Sequence, residues 1–74
     1  MDVSDLKINQ KAIITDVEGK GNLRRRLLEM GILPNTSIVV VKKAPLGDPL
    51  EISIRGYELS LRKEDAKLIK VKVD

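Results

Sequence analysis

The sequence has no cysteine, histidine, tryptophan or phenylalanine, and Tyr57 is its one aromatic residue. Each absence removes a class of function or a way of holding a fold. Without cysteine there is no disulfide, and without cysteine or histidine no ordinary structural zinc, the staples on which small domains often rely. Ser–His and Cys–His nucleophile systems are excluded for the same reason. No G-x-x-x-x-G-K-[ST] loop is present, so nucleotide binding by that route is excluded too. No run approaches the ~20 apolar residues needed to span a bilayer. The opening residues, Met1-Asp2-Val3-Ser4-Asp5, are acidic and lack the basic start and apolar core of a signal peptide. Cysteine-free chains suit a reducing compartment. A cytoplasmic location without membrane insertion is therefore expected, and the glycosylation-like triplet Asn35-Thr36-Ser37 is read as chance.

What is present is aliphatic and charged. The 74 residues suffice for one domain, expected over 1–74. A chain of this size buries only about 60% of the surface its unfolded form exposes. The core must rest on aliphatic packing, with weak self-association as a further source of stability. Fourteen Lys and Arg stand against eleven Asp and Glu, a formal charge of +3. The signs are interspersed, and a single tyrosine gives no base-stacking platform of the kind single-stranded nucleic acids use. No nucleic-acid partner is expected, although a small nucleic-acid-binding barrel remains the alternative that the pI near 9.4 suggests.

Along the chain, Ala12-Ile13-Ile14-Thr15-Asp16-Val17 reads as a first strand; Ala12 and Ile14 share a face, and Val17 joins them only through a bulge. Gly19 and Gly21 interrupt it. Leu23, Leu27 and Met30 then fall at i, i+4 and i+7, predicting an amphipathic helix over 23–30 with its stripe in the core. Asn22 suits its N-cap, and Gly31 followed by Ile32 suits a Schellman ending, with Pro34 barring continuation. Thr36–Lys43 is a β-branched strand, and Pro45-Leu46-Gly47-Asp48-Pro49 a turn-rich loop. Leu50–Ile54 and Glu58–Leu61 alternate around Arg55-Gly56-Tyr57, a tight hairpin. Lys63-Glu64-Asp65-Ala66 reads as one helical turn with Ala66 inward. Ile69, Val71 and Val73, alternating with Lys70, Lys72 and Asp74, read as a last half-buried strand. The fold class is mainly β: five short strands, one α-helix after the first and a helical turn before the last. Short strands leave vulnerable edges unless the sheet curls, so a small SH3-like barrel is expected.

The order of these pieces resembles the ferrous iron transport protein A (FeoA) family along nearly the whole chain. The resemblance rests on Leu6-Lys7 with Gln10-Lys11-Ala12, Arg26-Leu27-Leu28-Glu29-Met30-Gly31-Ile32 with Pro34, Pro45-Leu46-Gly47-Asp48-Pro49, and Arg55-Gly56-Tyr57-Glu58-Leu59-Ser60-Leu61-Arg62 with Ala66. Asn9 and Asn35 stand where many members have glycine, and asparagine is the next best residue for a left-handed position. The resemblance implies an SH3-like barrel and a cytoplasmic regulatory partner of the ferrous-iron membrane transporter FeoB, whose N-terminal region is a GTP-binding domain. A related barrel forms the C-terminal domain of DtxR-like iron-dependent repressors, which makes a metal-sensing domain a further alternative.

Candidate residues follow. Fe(II) sites favour histidine or cysteine; here Asp48, Glu51 and Glu58 would be the donors, and as scattered surface charges they assign no metal site. No catalytic residue and no cofactor are assigned, and Glu64 with Asp65 reads as a solvated cap. Asp48 is expected to fix its loop by accepting backbone bonds. Arg24, Arg25 and Arg26 occupy the first turn of the helix, where the dipole favours negative charge. Arg25 can pair with Glu29. Broken local rules can mark function, so Arg24 and Arg25, with Leu28 as an exposed anchor beside them and Leu46 on its loop, are the candidate partner-binding residues. With Tyr57 as its one aromatic residue, the barrel cannot build the aromatic-lined groove in which ordinary SH3 domains hold Pro-rich ligands.

Overall fold

The computed structural model describes residues 1–73, so the expectation for Asp74 lies outside the described residues. Its elements are a 3-10 turn Val3–Asp5, then β1 (Lys11–Val17), α1 (Gly21–Glu29), β2 (Ser37–Lys43), β3 (Leu50–Ile54), β4 (Tyr57–Leu61), α2 (Lys63–Ala66) and β5 (Ile69–Lys72). The five strands form one antiparallel sheet in the order β4-β3-β2-β1-β5.

Two irregularities bend this sheet around its core. The β1–β5 register shifts between Ile14 and Asp16, which brings Ala12, Ile14 and Val17 all to the buried face. The bulge that Val17 requires is therefore present. A second shift lies between Val40 and Lys42 in the β2–β3 pair. Inward residues from all five strands, with Leu27, Ile32, Ala66, Val3 and Leu6, form a single aliphatic cluster. Fully burying each large member contributes on the order of 1.5–3 kcal/mol, which is how the chain stands without a staple.

Turn chemistry places the strands. Arg55 and Gly56 have φ of 52° and 86°, the two positive values a two-residue hairpin turn needs to follow the strand twist. Asn9 and Asn35 are likewise left-handed, at 69° and 68°. The helix ends as a Schellman motif: Gly31 N–H donates to Leu28 C=O and Ile32 N–H to Leu27 C=O, at 3.0 and 3.2 Å. Leu27 and Ile32 are both buried beneath it.

Three sequence expectations change. The helix begins at Gly21, whose positive φ of 57° starts the turn, and no side chain caps it; Asn22 is already inside and exposed. Of the stripe only Leu27 is buried: Met30 is half-buried against the core, and Leu23 is half-exposed outside it. The Gly31 ending draws the C-terminal half of α1 onto the core and leaves the first turn overhanging. Val73 is 40% exposed, because β5 ends at Lys72.

Candidate docking surface

At 100° per residue, burial of Leu27 turns Arg25, Glu29 and Asn22 toward solvent and leaves Arg24 and Arg26 on opposite flanks of α1. The flanking arginines are tethered. Arg24 Nε donates to the carbonyl of Val17 at 3.0 Å, satisfying a backbone acceptor where β1 ends. Arg26 Nη2 lies 3.9 Å from Asp65 Oδ2, and the Asp65 side chain is only 10% exposed. Asp65 is thus tucked under Arg26 instead of forming the solvated cap expected of it, while its neighbour Glu64 stays exposed beside Arg62 at 3.5 Å. Consecutive residues on a helical turn face different ways, which separates the two carboxylates. Among the described residues Arg25 has no ion pair, and its expected pairing with Glu29 does not form. It is the one arginine of α1 with neither a tether nor an ion pair among the described residues.

Leu28 departs from its expected role as an exposed anchor. It is half-buried and packed against the core on the Arg24 flank of α1, next to Leu27, which the helix ending buries together with Ile32.

Leu46 is 91% exposed. Its loop is nonetheless fixed. Gly47 N–H donates to Ala44 C=O at 2.7 Å, closing a turn with Pro45 and Leu46 in the middle, where proline presets the backbone. Ala44 N–H donates to Pro49 C=O at 3.1 Å, and Asp48 Oδ1 accepts the N–H of Lys63 at 3.1 Å. Asp48 therefore accepts a backbone bond as expected, but from the first residue of α2, whose N-cap Arg62 offers no side-chain bond. The loop holds an aliphatic side chain in water on an ordered base.

The structure does not bring the candidate residues into one patch. Leu46 lies at one end of the β2–β3 pair, beyond Lys43 and Leu50. At the other end, beyond Ile54, Tyr57 donates its hydroxyl to the carbonyl of Met30 at the C-terminus of α1. Sequence reasoning missed this bond; the signal was the lone aromatic placed directly after a tight turn. A shallow depression of about 210 Å³ lies between Lys42, Ala44, Pro49, Glu51 and Ser60 on the outer face. Asp48, Glu51 and Glu58 stand on the loop, β3 and β4, and among the described residues no three carboxylates gather around one point. Among the described residues no helix is long and apolar enough to cross a membrane.

Comparison with known proteins accords with this architecture. The family model for the FeoA domain matches residues 1–73. A fusion of Fe(2+) transport protein A with the Fe(2+) transporter FeoB, from Porphyromonas gingivalis, is 45% identical over 73 residues, covering 99% of this chain but only 9% of that protein. The chain thus spans about a tenth of that relative. The solution structure of iron(II) transport protein A from Clostridium thermocellum superposes with a TM-score of 0.94 at 40% identity, over 99% of this chain and 45% of that one. A FeoA of Stenotrophomonas maltophilia, solved with zinc and described as a prokaryotic SH3 domain protein, gives 0.80 at 28% identity, over 97% and 89%. The motif order, the bulged five-stranded sheet with α1 after β1, and these matches agree: the chain belongs to the FeoA family, with an SH3-like fold linked to ferrous iron transport.

Proposed function

We propose that the chain is a non-enzymatic accessory module of ferrous iron uptake that docks, in the cytoplasm, on a FeoB-type transporter. The observation that carries this reading is the Porphyromonas gingivalis fusion, in which a segment 45% identical to this chain shares a polypeptide with FeoB. Fusion holds two modules at high effective concentration, an arrangement that serves partners in contact. The Stenotrophomonas maltophilia relative is itself described as a candidate ferrous iron transport activating factor.

The residue chemistry suits a binding role. Arg25 supplies a free cation on the outer face of α1, with Arg24 beside it, and Leu46 supplies an aliphatic anchor on a fixed loop. Arginine suits polar recognition because its planar fork offers several donors at little cost in order. Leu28 contributes the apolar floor next to Arg24. With neither histidine nor cysteine in the sequence, iron is handled by the partner and the module acts on that partner. Titration of the full chain into the soluble GTPase domain of a FeoB-type transporter, and into the detergent-solubilised transporter, tests this. Saturable binding to either is expected, and absence of binding to both would overturn it.

A further inference from the structure

The two edges of the sheet are finished differently. The edge of β5 is covered: Asp2 bridges Lys70, and Val71 N–H donates to the carbonyl of Met1 at 3.0 Å. The edge of β4 is bare. The two-residue turn makes Ile54 and Tyr57 a directly bonded pair. Bonding alternates along an antiparallel ladder, so Leu59 and Leu61 bond back to Ile52 and Leu50, while Glu58 and Ser60 turn their N–H and C=O groups outward. Among the described residues no other backbone group meets those of Glu58 and Ser60, and both residues are exposed. An open row of this kind is a template for a further strand.

The sequence of β4 says which strand fits. Laid antiparallel against a second copy of itself and centred on Leu59, Glu58 falls opposite the partner's Ser60. These are the residues with outward-facing backbone groups, so all four groups on each chain are satisfied. Leu59 meets its own counterpart on the face it shares with buried Leu61, where it is half-buried and packed on the core. Tyr57 meets the partner's Leu61. No like charges stand directly opposite, the arrangement cross-strand pairs favour. On the outer face the row Lys42, Glu51, Ser60 continues to the partner's Glu58, with the serine between the two carboxylates. A shift by one residue would set Glu58 or Ser60 against groups already bonded to β3.

We infer that the β4 edge is a homodimerisation surface, through which two copies of this chain join their sheets by antiparallel β4–β4 pairing centred on Leu59. The pairing is two-fold symmetric and closes on itself. It does not depend on the transporter reading.

The test is sedimentation of the full chain up to about 1 mM, where weak pairing becomes visible, together with amide exchange. The mass is expected to rise toward twice the 8.3 kDa of the chain, with the Glu58 and Ser60 amides gaining protection as concentration rises. Ser60→Pro removes an outward N–H without touching the ladder to β3, a position where proline is tolerated in an edge strand. It is expected to stay folded by circular dichroism and to sediment as a monomer. A wild type that remains monomeric throughout would overturn the proposal. So would a dimer that Ser60→Pro leaves intact, or one without protection at Glu58 and Ser60. Protection appearing only when a transporter domain is added would reassign the edge to a partner's strand. If Ser60→Pro fails to fold, the concentration dependence of the wild-type amides decides alone.

Discussion

The hydroxyl of Tyr57, the first residue of β4, donates a hydrogen bond to the carbonyl of Met30, the residue that ends α1. It is a clasp between residues 27 positions apart, and it satisfies one of the carbonyls that a helix leaves open at its C-terminus. Tyr57→Phe keeps the ring and deletes the clasp. A loss of about 0.5–1.5 kcal/mol is expected, read as a lower urea midpoint with unchanged slope. An unaltered midpoint would mean that the bond contributes nothing to the fold.

Gly31 sits under the same clasp. Its φ is 91°, and a Cβ built there would lie 2.8 Å from the Tyr57 hydroxyl. Gly31→Ala is expected to cost about 1–2 kcal/mol from the left-handed backbone alone, and more from the collision. Combining it with Tyr57→Phe removes the colliding oxygen, so the double variant should lose less than the sum of the two single losses. Strict additivity in this cycle would show that the two residues are not coupled.

Asp48 ties the Leu46 loop to α2 through the Lys63 N–H. Asp48→Ala is expected to cost about 0.5–1 kcal/mol, the lower part of the capping range, since the bond is exposed. Its local signature is faster amide exchange over 63–66. Asp48→Asn retains an acceptor and should recover most of that protection.

The three arginines of α1 should separate by role. Arg24→Ala frees the carbonyl of Val17 and Arg26→Ala uncovers Asp65, so both lower stability measurably in urea. Arg25→Glu breaks no ion pair among the described residues and should change stability by less than about 0.5 kcal/mol. Its effect is expected on docking instead, through a slower association rate and an altered salt dependence.

The parts of this fold legible in the sequence are those written in neighbouring residues. The bulge before Val17 follows from apolar spacing, the Schellman ending from Gly31 and Ile32, and the hairpin from Arg55-Gly56 between alternating strands. The tethers were not legible. Arg24 to Val17, Arg26 to Asp65, Asp48 to Lys63 and Tyr57 to Met30 join separate elements, and their partners are set by how α1 and α2 pack, which spacing does not encode. Two candidate site residues changed character for that reason. Arg24 carries a structural bond as well as a charge, and Leu28 packs inward. The same packing left Arg25 and Leu46 as the clearest exposed pair, one on the outer face of α1 and the other on a loop at one end of β2–β3.

The most direct measurement is calorimetric titration of the full chain into a FeoB-type transporter and its GTPase domain, with Arg25→Glu and Leu46→Asp alongside. Both substitutions lie at exposed positions and should leave the fold intact. Wild type is expected to bind saturably, and each variant to bind at least about tenfold more weakly, a change of about 1.4 kcal/mol. No wild-type binding to either preparation would contradict docking on the transporter, and undiminished binding by both variants would contradict a docking role for these two residues.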